Sequence, residues 1–310
     1  MAAPYYKEVP AINKKPPRIS HYFEYAALRC VEAAVSVVPR GVALALGGIA
    51  GRALCAFGVY RRIVRKNLEH VGIWSEGDMR KITARLYRNM GRYAVDFLRR
   101  GKLPVYRLHG YDYFLESRAR GKGTIIVLAH YGNWELLAAI WGSQVDDLNV
   151  IAKPMRNPLV ENWLFKKRTA LSVKTIYTKN ALRGMLGVLR SNGITAILID
   201  QYLGDGMGTP APFLGKTAST VRTVAGLVRK TGAAAVPICA TMREDGSYDI
   251  NFIRPEELDL EDGADEEAVI SAIQAQHNDI LSKWIVDKPE HWFGWFHRRF
   301  RGYVNYSNST

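Results

Sequence analysis

The chain has 310 residues, 48% of them hydrophobic, and carries 43 Lys and Arg against 29 Asp and Glu, a formal charge of +14. That length excludes a mini-domain and suits one large α/β domain or two small ones, while a positive excess of this size attracts anions at long range. Nucleic acid, anionic lipid headgroups, phosphorylated substrates and acidic proteins therefore all remain possible partners on charge alone. Cys30, Cys55 and Cys239 are far apart and form no C-x-x-C, which argues against a disulfide framework or a zinc knuckle.

Tyr5 to Ser20 is polar and proline-rich, without the basic-then-apolar order of a secretory signal, so no export is expected. From Tyr25 to Tyr60 the chain is rich in Ala, Val, Leu and Gly, yet Arg29, Glu32, Arg40 and Arg52 interrupt it. The longest uninterrupted run, Gly41 to Gly51, would cross only about half of a hydrocarbon core at about 1.5 Å per residue. Two hydrophobic helices lying in one leaflet are expected instead. The cluster "RRIVRKNLEHVG" follows, with Arg61, Arg62, Arg65 and Lys66. Beside an apolar anchor such charges are drawn to anionic lipid by about 1 kcal/mol each. There is no recognition-helix pattern and no zinc-finger spacing, so nucleic acid is not expected as a partner. The division is a polar tail over 1–20, membrane-associating helices over 21–66 and an α/β domain over 67–310.

Asp78 to Arg100 places Ile82, Leu86, Met90, Tyr93 and Phe97 near helical period, with Gly101 to close the helix. Beyond it, β-rich apolar runs recur at Thr124–Ala129, Leu148–Ala152, Ser172–Tyr177, Ile194–Ile199, Ala234–Ala240 and Tyr248–Ile253, most of them separated by helical stretches. This pattern predicts a mixed, largely parallel central sheet flanked by helices. The acidic "EELDLEDGADEEA" from Glu256 reads as a loop leading into a helix over about Glu266 to Trp284. The "GDGMG" of Gly204 to Gly208 lacks the G-K-[ST] ending of a phosphate loop and reads, with the following "TPAPFLG", as a loop lining a pocket.

In "TIIVLAHYGNWELLAAIW", His130 stands between a strand and a helix, and Glu135 falls in the first helical turn. Catalytic groups of open α/β sheets gather at the carboxyl ends of strands. A lone His there is more often structural, and Glu135 could simply complement the helix dipole. The combination shifts the balance: Gly132 permits a sharp turn, Asn133 can cap the helix, and Glu135 is placed to fold back toward the imidazole. A carboxylate on one ring nitrogen fixes the tautomer and leaves the other free to take a proton from a substrate hydroxyl. No G-x-S-x-G elbow is present, and His21, His70, His109, His277, His291 and His297 show no metal-binding spacing with it, so neither metal nor cofactor is expected.

"AHYGNWE" resembles the H-x-x-x-x-[DE] signature of glycerolipid and lysophospholipid acyltransferases. "KPMRNPLVENWLFKKR" (Lys153 to Arg168), "IDQ" (Ile199 to Gln201), "GTPAPFLGKTAST" (Gly208 to Thr220) and the terminal "WFHRRF" resemble, in order, the bacterial lipid A biosynthesis acyltransferases. The resemblance implies an enzyme on the cytoplasmic face of the inner membrane. It would move an acyl chain from acyl carrier protein, or from acyl-CoA, to a hydroxyl of a lipid A precursor. The "GNW" is shared with relatives that act on other glycolipids, phosphatidylinositol mannosides among them. By motif, His130, Glu135, Arg168 and Asp200 would be catalytic, and Asn133, Lys153, Arg156, Asn157, Gln201 and Gly215 would contact substrate. Arg168 is placed by the resemblance near the reaction centre, where a cation can stabilise a developing oxyanion. The presence of all four catalytic positions argues against a decayed, purely adaptor role.

Overall fold

The computed structural model describes residues 16–144, 148–178, 181–202, 204, 208–255 and 265–306. Its front end is helical: α1 (Ile19–Val37), α2 (Arg40–Ala56), α3 (Arg61–Val71) and α4 (Glu76–Leu98). Ser75 caps α4 by accepting from the Asp78 N–H at 3.1 Å. That helix starts and ends two residues before the expected Asp78–Arg100.

The packing of α2 against α4 is set by glycines. A Cβ on Gly51 would fall 2.0 Å from the Tyr87 carbonyl oxygen, and one on Gly91 would fall 1.8 Å from that of Gly47. The two backbones thus approach more closely than any side chain permits. Arg40, at the start of α2, makes a bidentate pair with Asp96 of α4 at 2.8 and 2.6 Å. Glu32 of α1 pairs with Arg100 at 2.7 Å. The apolar side chains not used in this packing point outward, with Phe57 84%, Val37 82% and Ile19 78% exposed. Among the described residues no helix is long and apolar enough to cross a membrane; α2 and α3 reach that length only together, and they meet at a bend of 83°.

The rest alternates strands with helices: β1 (Tyr106–His109), α5 (Tyr111–Ala119), β2 (Thr124–Leu128), α6 (Trp134–Gln144), β3 (Leu148–Ala152), α7 (Pro158–Thr169), β4 (Val173–Tyr177), α8 (Ala181–Arg190) and β5 (Ile194–Leu198). A hairpin follows, β6 (Gly208–Phe213) and β7 (Lys216–Val221), then α9 (Thr223–Thr231), β8 (Ala234–Met242), β9 (Tyr248–Phe252) and α10 (Glu266–Asp287). The main sheet runs β1-β9-β8-β2-β5-β3-β4. Only the β8–β9 junction is antiparallel, so the sheet is mixed but largely parallel. Strand β2, TIIVL, is buried throughout, as a central strand covered on both faces must be.

Two expectations change. The segment read as a pocket-lining loop forms the β6–β7 hairpin, turned by Leu214 and Gly215 with φ of 52° and 69°, the left-handed pair of a type I′ turn. Tyr106–His109 adds an unanticipated edge strand. Residues 205–207 of the glycine-rich stretch and 256–264 of the acidic stretch lie outside the described residues. The helix after the acidic stretch begins at Glu266 as expected, capped by Asp265.

The glycine contact between α2 and α4 gives the first prediction. Gly51→Val should lower stability by about 1–3 kcal/mol through overpacking, whereas Gly41→Ala, with nothing within 4 Å of its added Cβ, should leave it unchanged. Thermal denaturation of both variants decides whether the helix contact is as close as described.

Candidate active site

Strands β2 and β5 are parallel neighbours, with Leu128 opposite Leu198. Two residues past each partner stand His130 and Asp200, so register alone brings them together at the carboxyl end of the sheet. The Asp200 carboxylate is fully buried. It accepts from the ring Nδ1 of His130 at 2.8 Å, from the His130 backbone N–H at 3.0 Å and from the Trp292 indole N–H at 2.8 Å. Burial alone would raise this carboxyl, but the His130 charge and these hydrogen bonds outweigh it and hold it at about 2. An ionised partner on Nδ1 leaves Nε2 of His130 as the lone-pair nitrogen, able to accept a proton.

The backbone around His130 is locked by the C-terminal segment. Phe293 N–H donates to the His130 carbonyl at 2.7 Å, and Gly132 N–H to the His291 carbonyl at 2.8 Å. Gly132, with φ of 66°, lies so close to β8 that a Cβ there would meet the Ala240 carbonyl oxygen at 1.9 Å. The Trp134 ring packs edge-on against the imidazole at 4.9 Å between centroids. On the Nε2 side, the Gln201 side-chain amide lies 3.1 Å from His130 Nε2 and 3.0 Å from Nε2 of His297.

Glu135 does not fold back on the imidazole. Its carboxylate receives a bidentate pair from Arg168 of α7, at 2.5 Å from Nη2 and 3.3 Å from Nε, and the carboxylate that orients His130 is Asp200. A guanidinium so close, with its fork geometry matched, captures the short Glu135 side chain. Both members line a cleft of about 500 Å³ between α1, α4, α6 and α7, whose walls mix the cations Arg29, Arg100, Lys166 and Lys167 with apolar Phe97 and Trp163.

The sequence profile of the bacterial lipid A biosynthesis acyltransferases matches residues 13–302. The chain belongs to this family. It is 27% identical over 247 residues to the lipid A biosynthesis palmitoleoyltransferase of Escherichia coli (strain K12), covering 77% of this chain and 78% of that protein. The same figures relate it to the lipid A biosynthesis acyltransferase of Shigella flexneri. The protein is an acyltransferase.

Within this acyltransferase, the residues assigned to substrate by motif separate into two kinds. Gln201 is at the imidazole, and Lys153 and Arg156 are exposed after β3. The other three have structural work. Asn133 is buried; its oxygen caps α6 through the Leu136 N–H at 3.1 Å and its amide donates to the Tyr248 hydroxyl at 3.1 Å. Asn157 caps α7 through Leu159 N–H at 3.0 Å and donates to Glu24 and the His21 carbonyl of α1. Gly215 serves the hairpin turn. The polar atoms of Asn133 and Asn157 are thus engaged in helix caps and cross-links, and Gly215 supplies a positive φ to the hairpin turn. Trp292 and His297 were not singled out from sequence as site residues; the dense aromatic run before "HRRF" was the available signal. Among the described residues no group of three or more His, Cys, Asp or Glu is placed to hold a metal.

Asp200 carries a pH signature. Its folded value, about 2, lies below the ordinary 3.8, so its contribution to stability is present above 3.8 and is lost as pH falls toward 2. The stability gap between wild type and Asp200→Asn should thus narrow by about 2 kcal/mol across that window. Denaturant titrations at stepped pH measure it, and a constant gap would mean that Asp200 is not the depressed group.

Proposed function

We propose that this enzyme transfers a fatty acyl group from an acyl carrier protein thioester to a hydroxyl of a lipid A precursor, at the cytoplasmic face of the inner membrane. The observation that carries the chemistry is the buried Asp200 on Nδ1 of His130. With that nitrogen protonated, Nε2 takes the proton of the acceptor hydroxyl as its oxygen attacks the thioester carbonyl. The new C–O bond forms, the C–S bond breaks, and the imidazolium returns its proton to the leaving thiolate. Arg168 is held by Glu135 through two of its donors, and its remaining N–H groups meet the oxyanion of the tetrahedral intermediate. In this reading Glu135 positions the arginine, and Asp200 positions the base.

The acceptor assignment is supported by the names of the two lipid A relatives and by the cleft, whose cations suit phosphate while Phe97 and Trp163 suit acyl chains. Membrane association is supported by the outward apolar side chains of α1 and α2 next to exposed Arg61, Arg62 and Arg65 of α3. Such a surface fits helices resting in one leaflet with their charges at the headgroups.

The test is acyl transfer with purified protein, a lipid A precursor and either acyl carrier protein or coenzyme A thioester, read by mass spectrometry. A mass gain of one acyl chain from the carrier-protein donor is expected, falling by roughly 100 to 10,000-fold in His130→Ala. A folded His130→Ala that keeps near-native turnover would overturn the base assignment; transfer only to another glycolipid would overturn the acceptor.

Arg168 separates two readings of its ion pair. If it meets the oxyanion, Arg168→Ala should lower kcat by roughly 100 to 1,000-fold, with only partial rescue by Arg168→Lys, which keeps the charge and loses the fork. Equal single-turnover rates at saturating donor in all three proteins would reduce Arg168 to a structural partner of Glu135.

A further inference from the structure

The cleft between α1, α4, α6 and α7 holds a cation that the proposed reaction does not use. Lys167 stands on α7, one residue before Arg168, and is half-buried. Its Nζ donates to the Leu98 carbonyl, at the end of α4, at 3.2 Å. The same ammonium lies 5.1 Å from the centroid of Phe97 and 5.2 Å from that of Trp163. Those rings meet edge to face at 5.8 Å, and the Trp163 indole N–H donates to Glu32 at 3.4 Å. A lysine ordinarily carries its charge out to water, whereas this one is held between two fixed rings. Burial pulls the pKa of its amine down, against the opposing effect of Glu32.

Among the described residues, every carboxylate that lines the cleft is already engaged. Glu135 takes Arg168, Asp96 takes Arg40, and Glu32 takes both Arg29 and Arg100. Arg99 donates to the Val35 and Val38 carbonyls near the end of α1. Lys166 and Lys167 therefore line the cleft without a carboxylate of their own. The Arg29–Glu32–Arg100 group in the same wall has one cation more than it has anions. Of the three N–H donors of an ammonium, Lys167 uses one on Leu98 and points none at a carboxylate. What the cleft lacks is an anion with more than one charge and several acceptor oxygens. A phosphomonoester has about two negative charges and three strong acceptors.

We propose that Lys167, with Lys166 and Arg100 in the same cleft, binds a phosphomonoester carried by the lipid acceptor. The inference rests on the reading of this cleft as the acceptor's site. The lipid source follows from the helix that forms the wall. Tyr25, Arg29 and Glu32 recur at helical spacing along α1 and line the cleft, while Ile19, Phe23 and Val37 of the same helix are exposed and apolar. A lipid whose chains lie against those side chains presents its headgroup to the cleft. Arg168 lines the same cavity, so the bound phosphate anchors the acceptor beside the groups proposed to react and takes no part in the transfer. Lys167 is thus a specificity residue: an acceptor without the phosphate leaves its ammonium unanswered in a half-buried place.

The test is equilibrium binding by calorimetry, on the full chain in detergent and without donor. The probes are a lipid A precursor bearing its phosphomonoesters and the same precursor after phosphatase treatment. Wild type should bind the dephosphorylated form roughly 10 to 100-fold more weakly, the worth of charge-assisted hydrogen bonds. Lys167→Met keeps the stem against Phe97 and Trp163 and removes the charge; it should lose a similar factor for the phosphorylated form and nothing for the other. Lys167→Arg should recover part of the loss, and Lys230→Met, which removes an exposed charge at the end of α9, should bind as wild type does. Equal binding of both precursors by wild type would overturn the proposal without any variant. So would a folded Lys167→Met that loses affinity equally for both, since Lys167 would then only shape the cleft. Acyl carrier protein and coenzyme A thioesters titrated alone separate the donor's phosphate: a loss there, with acceptor binding intact, would overturn the assignment to the acceptor. Phosphate-dependent binding with no acyl transfer would strike the proposed reaction and uphold this site, whereas transfer with phosphate-independent binding would strike this site alone.

Discussion

A fully buried carboxylate is costly unless every part of its charge is answered, and the arrangement around Asp200 follows from that constraint. Three donors converge on it: the backbone and ring of His130 from the end of β2, and the indole of Trp292 from the C-terminal segment. Removing any one leaves part of that buried charge without a partner. The segment that brings Trp292 also closes the backbone of the His130 loop, through the Phe293 and Gly132 hydrogen bonds. Gly132 then has to lie against β8, where no side chain fits. The imidazole is consequently held by the sheet register below and by the C-terminal strap above.

The same logic joins the helical front end to the site. Arg40 on α2 pairs with Asp96 on α4, the Tyr248 hydroxyl donates to Asp96 at 2.9 Å, and Tyr248 accepts from Asn133, the cap of α6. A chain of buried polar contacts thus runs from the outward apolar helices to the turn that follows His130. On the opposite side, Asn67 of the basic helix α3 binds the carbonyls of Trp295 and His297. The helices with outward apolar side chains and the His130–Asp200 pair are thus joined through hydrogen-bonded packing from two sides.

Much of the fold was legible because local pattern and tertiary demand agree. Thr124–Leu128 and Ile194–Leu198 are largely apolar, rich in β-branched residues and almost wholly buried, and their sequence says so; Leu148–Ala152 is half-buried but keeps an apolar run. Tyr106–His109 was not legible: as an edge strand with mostly exposed side chains, YRLH needs no apolar run. The β6–β7 hairpin hides behind Pro210 and Pro212, which suit a two-stranded ribbon with free edges but read as loop. In the candidate site, the position of His130 after β2 was legible from the strand-to-helix junction. Its partner was misread because Glu135 is near in sequence, whereas Asp200 is brought close only by strand register across 70 residues. Short-range spacing favours the neighbour in the chain; a parallel sheet favours the neighbour in the register.

The composition offers a further contrast. The excess of cations that dominates the sequence is absent from the groups proposed to react, where His130 is answered by Asp200 and Arg168 by Glu135. Balanced pairs are what a low-dielectric site requires, since an unpaired charge there would shift its ionisation or draw in water. The surplus lies elsewhere, on the exposed face of α3, where Arg61 and Arg62 meet solvent, and along the cleft, where Lys166 stands near Arg29 and Arg100, two cations that share the one carboxylate of Glu32. The groups proposed to react are therefore matched charge for charge where water is excluded, while the net positive excess is carried at the surface, where water screens it.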